Sequence, residues 1–178
     1  MESIIYKELN DAEVSVALFS SFERYQDVKK CWRKENDQWI LKDIAFTEQW
    51  DSDEYEYLVK CLKNTIKTGG TVFGAFHNNV LVGFTSIESE FFGLEKKYLQ
   101  LSCIHTSYGN RAMGIGKNLF SIACAKAKEM GAQKLYISAH SSEESQAFYK
   151  AMGCVEAEEY NAKLVAAEPC DCQLEYVF

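Results

Sequence analysis

Two spacings of apolar residues alternate along the 178-residue chain. Stretches that switch at every second position, or run apolar throughout, predict strands; repeats at three and four positions predict helices. Residues 4–9 predict a first strand. Asn10 then caps a predicted helix with Val14, Ala17, Leu18 and Phe22 on one face. Within the aromatic stretch from Tyr25 to Trp50, residues 31–44 predict two short strands around a Glu35-Asn36-Asp37 turn. Asp51 and Glu54 form a capping-box signature ahead of Leu58, Leu62 and Ile66, and Gly69-Gly70 stops that helix. Residues 71–76 and 81–88 predict strands joined through His77-Asn78-Asn79, and residues 98–106 a longer, largely apolar one.

The second half changes character. Residues 117–130 predict an amphipathic helix ended by Gly131, residues 134–140 a buried strand, and residues 142–152 a helix ended by Gly153. Two strands, over residues 155–160 and 172–178, close the chain. This order of elements gives a mixed α/β sheet with parallel crossovers at its centre. With 47% apolar and 25% charged residues the chain can bury a full core, which excludes a disordered protein. One proline, no low-complexity stretch and no repeat leave nothing that reads as a linker, so one domain is expected over residues 1–178.

Charge narrows the partners. Acids outnumber bases 26 to 19, a net charge of −7, which argues against a nucleic-acid binder and suits a cationic small molecule. No run is long and apolar enough for a membrane span, and the N-terminal stretch has no signal-peptide pattern, so a cytoplasmic protein without membrane partners is expected. The seven cysteines are odd in number and scattered through apolar stretches, which reads as reduced, packed thiols. Cys170-x-Cys172 has no partner pair and the three histidines are dispersed, so no metal is expected.

The informative stretch runs from Asn110 to Asn118, Asn-Arg-Ala-Met-Gly-Ile-Gly-Lys-Asn, between a predicted strand and a helix. Glycines let the backbone turn tightly, and the helix N-terminus behind them points unpaired N–H groups at an anion. Arg111 and Lys117 add positive charge, and a pyrophosphate is the natural guest. A triphosphate loop fails because Ile115 stands where its lysine belongs; a dinucleotide fingerprint fails because Leu119 stands where its third small residue belongs. The remaining pattern, Arg111-x-x-Gly114-x-Gly116, resembles the coenzyme A loop of the GNAT N-acetyltransferase superfamily. Downstream, Ser145-Gln-Ala-Phe-Tyr149-Lys-Ala-Met-Gly153 resembles that superfamily's second signature, a tyrosine on a helix ended by glycine.

The resemblance covers residues 71–178 and implies a mostly antiparallel sheet of about seven strands, one parallel pair splayed apart, and about four flanking helices. It implies acetyl-CoA as cosubstrate, with Ile104, His105 and Thr106 pairing to the pantetheine arm and Met113, Gly114, Ile115, Gly116, Lys117 and Asn118 around the pyrophosphate. Ser142 and Ser145 would add cofactor contacts, and Tyr149 would protonate the departing thiolate. Two departures stand out: Ala112 occupies a position often glycine, and Ser142 one often asparagine. His105 is the first candidate for the base that deprotonates the acceptor, since imidazole ordinarily titrates near neutrality. Glu88, Glu90 and His140 are alternatives, and Cys103 would require a covalent acyl-enzyme.

Residues 1–70 would then serve the acceptor. Phe22, Tyr25, Trp32, Trp39, Phe46 and Trp50, interleaved with Glu23, Asp27, Asp43, Glu48 and Asp51, suggest an aromatic, acidic cleft for a cationic amine. The expected activity is acetyl transfer by direct attack of a small cationic primary amine, in a chain able to form a homodimer. The alternatives are a protein lysine or N-terminal amine as acceptor, or a non-catalytic acyl-CoA sensor.

Overall fold

The computed structural model describes residues 3–178. Seven strands form one sheet in the order β1-β4-β5-β6-β7-β9-β8, and β2 with β3 form a separate two-stranded sheet. The strands are β1 (Ile5–Leu9), β2 (Tyr25–Glu35), β3 (Gln38–Gln49), β4 (Thr71–His77), β5 (Val80–Ile87), β6 (Tyr98–Thr106), β7 (Lys134–Ala139), β8 (Val155–Glu156) and β9 (Cys172–Val177). The helices are α1 (Ser52–Lys67), α2 (Ile115–Glu129), α3 (Glu143–Ala151) and α4 (Ala162–Ala167). β6 and β7 run parallel; every other neighbouring pair in the large sheet is antiparallel. The mixed sheet and its parallel centre match the sequence expectation.

Local chemistry accounts for most boundaries. Asp51 accepts the Glu54 amide and Glu54 accepts the Asp51 amide, so the capping box forms and α1 begins at Ser52. Asn36 and Asn78 each open a two-residue turn, with Asp37 and Asn79 beside them, and all four take left-handed φ between 49° and 62°. Short polar side chains tolerate that conformation, and it matches the twist of hairpin strands. Leu99, Leu101, Phe120, Leu135 and Ile137 bury one core between the sheet and α2; Val14, Phe19, Phe22, Leu62 and Phe84 bury another beneath α1.

Three expectations change. The Asn10-capped helix is replaced by an Asn10–Glu13 capping turn, a break at the extended Ser15, and one 3-10 turn over Val16–Phe19. Phe19, off the predicted apolar face, is buried against Phe22 and Phe84, while Ala17, on that face, is exposed. Packing of two rings therefore overrides the helical period. The pair predicted as short strands is an 11- and 12-residue hairpin that stands apart from the main sheet. The strand expected over residues 155–160 stops at Glu156, and α4, capped by Asn161, occupies a segment the pattern left unassigned.

Candidate active site

The site begins where two strands part. β6 pairs with β7 only from Tyr98 to Gln100, against Lys134 to Tyr136. Beyond that point β6 stays with β5 as far as Thr106 opposite Gly83, and β7 stays with β9 as far as Ala139 opposite Cys172. The cause lies in β6. Ile87 faces Leu101 but Ser86 faces Cys103, so Ser102 is an extra residue in the ladder. Such a bulge bends and twists the strand that carries it. The closed end of the fork is clasped by Glu175, 1% exposed, which accepts the Tyr98 hydroxyl and Lys134 Nζ at 3.0 Å.

Between the parted strands lies a cavity of about 620 Å³ walled by Ile104 and Thr106 from β6, Ile137 and Ser138 from β7, and the starts of α2 and α3. Its α2 end can receive an anion. Gly114 is the N-cap, at φ +78, and gives no side-chain cap, whereas Asp51, Ser142 and Asn161 cap the other three helices. Asn118 donates the first intrahelical bond, to Gly114 at 3.1 Å, so the amides of Ile115, Gly116 and Lys117 precede the ladder. A Cβ on Gly114 would meet no atom within 4 Å, which leaves this face open; one on Gly116 would stand 3.2 Å from the Phe148 ring. The two glycines thus serve differently: Gly114 turns the chain, and Gly116 lets α2 approach α3.

Gly114, Ile115, Gly116, Lys117, Ser145 and Arg111 line this cavity, but three expected contacts do not. Met113 is exposed and not among the cavity-lining residues. Asn118 donates to the Tyr6 hydroxyl at 3.0 Å. Ser142, 1% exposed, caps α3 at the Ser145 amide, accepts from Gln26 at 2.9 Å and donates to Ser145 Oγ, which leaves it nothing for a ligand. Arg111 is at the cavity wall with its guanidinium already engaged: it donates to the Tyr25 carbonyl and lies 3.9 Å from Glu144.

Tyr149 projects from α3 into the same space. It is 8% exposed, and its phenol makes no hydrogen bond among the described residues. Burial first, then nearby Cys154, Cys103 and Asp171, push its pKa well up, so it holds its proton. His105 overturns the expectation of a base poised near neutrality. Its ring sits 5.0 Å from Trp50 and 5.4 Å from Phe84, and burial, reinforced by repulsion from Arg24 and Arg111, pulls its pKa down to about 3. A base that weak contributes little to removing a proton from an ammonium.

The alternatives are also occupied. Glu88 accepts from Thr65 at 2.8 Å and Ser102 at 2.6 Å, away from the cavity, and Glu90 is exposed. His140 Nδ1 accepts the Ser142 amide at 3.1 Å while Nε2 faces Glu48 at 3.3 Å, which leaves no free nitrogen. Cys103 carries a thiol pushed up to about 11 by burial, unsuited to nucleophilic attack.

Sequence reasoning missed the opposite end. The β2–β3 hairpin docks beside α3 through Trp32 N–H to the Ser141 carbonyl at 2.8 Å and Arg33 to Ser141 Oγ at 2.7 Å. Its tip is held by Lys34 and Trp39 donating to Glu156 at 2.5 and 3.1 Å. The docked hairpin, with Arg24 just before its first strand, brings Arg24, Gln26 and Glu48 to the cavity wall. Arg24, 8% exposed, donates Nη2 to Glu48 at 3.0 Å and lies 5.4 Å from the Trp50 ring; its Nε and Nη1 are buried with no partner among the described residues. Of the expected aromatic cleft only Trp50 reaches the cavity: Phe22 is core, Trp39 holds Glu156, and Phe46 packs beside His140. Glu168 and Asp171, from the turn before β9, complete the wall. No spacing in the sequence marks them.

A fork between parallel strands beside an uncapped, glycine-started helix defines a class of protein, and the sequence comparison agrees. Residues 25–154 match the model of the acetyltransferase (GNAT) family, and the chain belongs to that family. It is accordingly an acetyl-CoA-dependent acyltransferase. No curated protein sequence matches the chain. Among solved structures, a protein assigned as a streptothricin acetyltransferase from Bacillus anthracis str. Ames, in complex with acetyl coenzyme A, is 14% identical with a TM-score of 0.75 over 99% of each chain. Nourseothricin acetyltransferase is 16% identical with a TM-score of 0.65, over 97% of this chain and 95% of that one. The PaiA N-acetyltransferase from Thermoplasma acidophilum, in complex with coenzyme A, is 13% identical with a TM-score of 0.60 over 99% of each chain. At these identities the likeness is one of fold. Among the described residues no helix is long and apolar enough to cross a membrane.

Proposed function

We propose that the chain transfers the acetyl group of acetyl-CoA to a primary amine of a small, cationic molecule by direct attack. The observation that carries this reading is the continuity of one cavity from the uncapped α2 N-terminus, past Tyr149, to an acidic end closed by a docked hairpin. The pyrophosphate lies at the Ile115, Gly116 and Lys117 amides, where the helix dipole favours negative charge. The pantetheine arm fills the fork alongside Ile104 to Thr106 and brings the thioester to Tyr149. Attack gives a tetrahedral intermediate; its collapse breaks the C–S bond, and the Tyr149 phenol, kept protonated by burial, gives its proton to the sulfur.

The acceptor's charge follows from pairing. Arg24 neutralises Glu48 and Arg111 faces Glu144, which leaves Glu168 and Asp171 without a cationic partner in the cavity wall. Such a surface draws a positive ligand and weakens binding of an anionic one. Fixing the hairpin at both Ser141 and Glu156 narrows the acceptor side, which favours a small molecule over a folded protein's lysine. Two of the similar structures are named for acetylating streptothricin and nourseothricin rather than a protein.

The test is thiol release from acetyl-CoA with a panel of mono- and polyamines, amino sugars and lysine peptides. Small cationic amines are expected to turn over and peptides not to. Tyr149→Phe is expected to lower kcat about 100-fold or more while acetyl-CoA affinity, read by calorimetry, stays unchanged. Binding of acetyl-CoA with no thiol release on any amine would favour a sensor instead.

A further inference from the structure

With His105, His140, Glu88 and Glu90 unsuited, the acceptor ammonium still has to lose a proton before it can attack. The fork itself supplies a candidate. β7 and β9 pair up to Ala139 opposite Cys172, so Asp171, the residue just before β9, stands at the open end of the fork. Its Oδ2 accepts the Ser138 hydroxyl at 3.0 Å, and Ser138 is fixed in turn by Gln173 Nε2 at 3.1 Å. Among the described residues Oδ1 has no hydrogen-bond partner, and the residue lines the cavity with Tyr149. Among the described residues no Lys or Arg pairs with it.

We infer that Asp171 is the catalytic base, taking a proton from the acceptor ammonium through the oxygen that Ser138 leaves free. The inference rests on the acetyltransferase reading given above. One ammonium N–H bond breaks and its proton passes to Oδ1; the amine lone pair forms the bond to the thioester carbonyl carbon. The C–S bond of the intermediate then breaks, sulfur takes the Tyr149 proton, and the nitrogen gives up its second proton, through water, to restore the phenol. Asp171 then loses its proton to water at the cavity mouth, so the sum releases amide, free coenzyme A and one proton.

The surroundings suit that role. Titratable and charged groups face Asp171 from each neighbouring element: His140 at the end of β7, Glu48 on β3, Tyr149 on α3, Glu168 at the end of α4, and Cys172 on β9. Burial raises the Asp171 carboxyl above its ordinary 3.8, and Glu168 and Glu48 add to that; only the Ser138 bond and His140 act against it. Glu48, by contrast, is held low by the His140 hydrogen bond and by Arg24, against its burial. Carboxylates whose surroundings drive them apart take different roles, and the raised one is the better base.

Asp171→Asn is expected to lower kcat about 100-fold or more with acetyl-CoA binding unchanged, and Asp171→Glu to restore part of the rate. Because burying the charge opposes folding, the Asn variant should melt no lower than wild type at neutral pH. Two further variants move the acidic limb of kcat/KM in opposite directions. Ser138→Ala removes a bond that favours the charged form and shifts the limb to higher pH; Glu168→Gln removes a neighbouring negative charge and shifts it to lower pH. An Asn variant with wild-type kcat, or a limb that neither variant moves, overturns the assignment while the acetyltransferase reading stands. A wild-type protein that transfers acetyl to no amine overturns that reading and this inference with it.

Discussion

Ala112 sits in the left-handed region at φ 64°, where a Cβ crowds the following carbonyl. The resemblance to the acetyltransferase loop expects glycine there, and the backbone shows why: the turn into Gly114 keeps its path and the alanine bears the strain. Ala112→Gly should therefore stabilise the protein by about 1 kcal/mol, after allowance for glycine's freer unfolded chain. Thermal unfolding reads this as a melting temperature roughly 2–4 °C higher. A lower one would mean that the loop path is set by something other than backbone strain. Gly114 and Arg111 were legible because a tight turn and a charge are local properties. The bonds of Ser142 and Asn118 were not, because their partners Gln26 and Tyr6 lie far away in sequence.

The hairpin β2–β3 shows what pattern alone does at the scale of an element. Alternation found the strands and the Asn36-Asp37 turn found the reversal, yet the length and the docking were hidden. They depend on Ser141 and Glu156, more than a hundred residues downstream. Glu156 is the anchor. Burial raises its carboxyl, but Lys34, Tyr160 and Trp39 outweigh that and hold it at about 2. Glu156→Ala should cost little in stability, since the group is partly exposed and such surface pairs are weak. It should instead loosen the wall, raising the acceptor KM several-fold while acetyl-CoA affinity stays the same. Steady-state kinetics with each substrate varied in turn separates the two, and an unchanged acceptor KM would show that the tip does not shape the site. α4 escaped the sequence reading for a related reason: six residues with one cap carry too little periodicity to stand out.

For the whole molecule, the partly buried imidazole of His105 couples folding to pH. The folded chain refuses a proton there until about pH 3, whereas the unfolded chain accepts one near the ordinary 6.5. Its contribution to stability is therefore complete above 6.5 and is lost progressively as pH falls toward 3. Between pH 7 and 5 ordinary carboxylates hardly titrate, so melting temperature should decline in that window. His105→Phe, which keeps a ring between Trp50 and Phe84, should flatten the decline. Equal slopes for wild type and variant would mean that His105 takes up its proton in the folded state.

Alternating apolar positions and short capping signals are written in neighbouring residues, and they are enough to place nearly every strand, α1 to α3 and the Gly114 turn; Tyr149 stood out only through the resemblance to the acetyltransferase family. Only the tertiary structure decided which groups meet in the cavity. Asp171 lies between Cys170 and Cys172, a pair without the partner a metal site needs, and nothing local marks the aspartate. Its position follows from the pairing of β9 with β7, and its free oxygen from a bond to a serine 33 residues earlier. His105 reads from sequence as a titrating base and becomes a neutral ring because it packs between Trp50 and Phe84 and is repelled, when charged, by two arginines. A pKa belongs to an environment rather than to a residue type, and long-range packing assembles that environment.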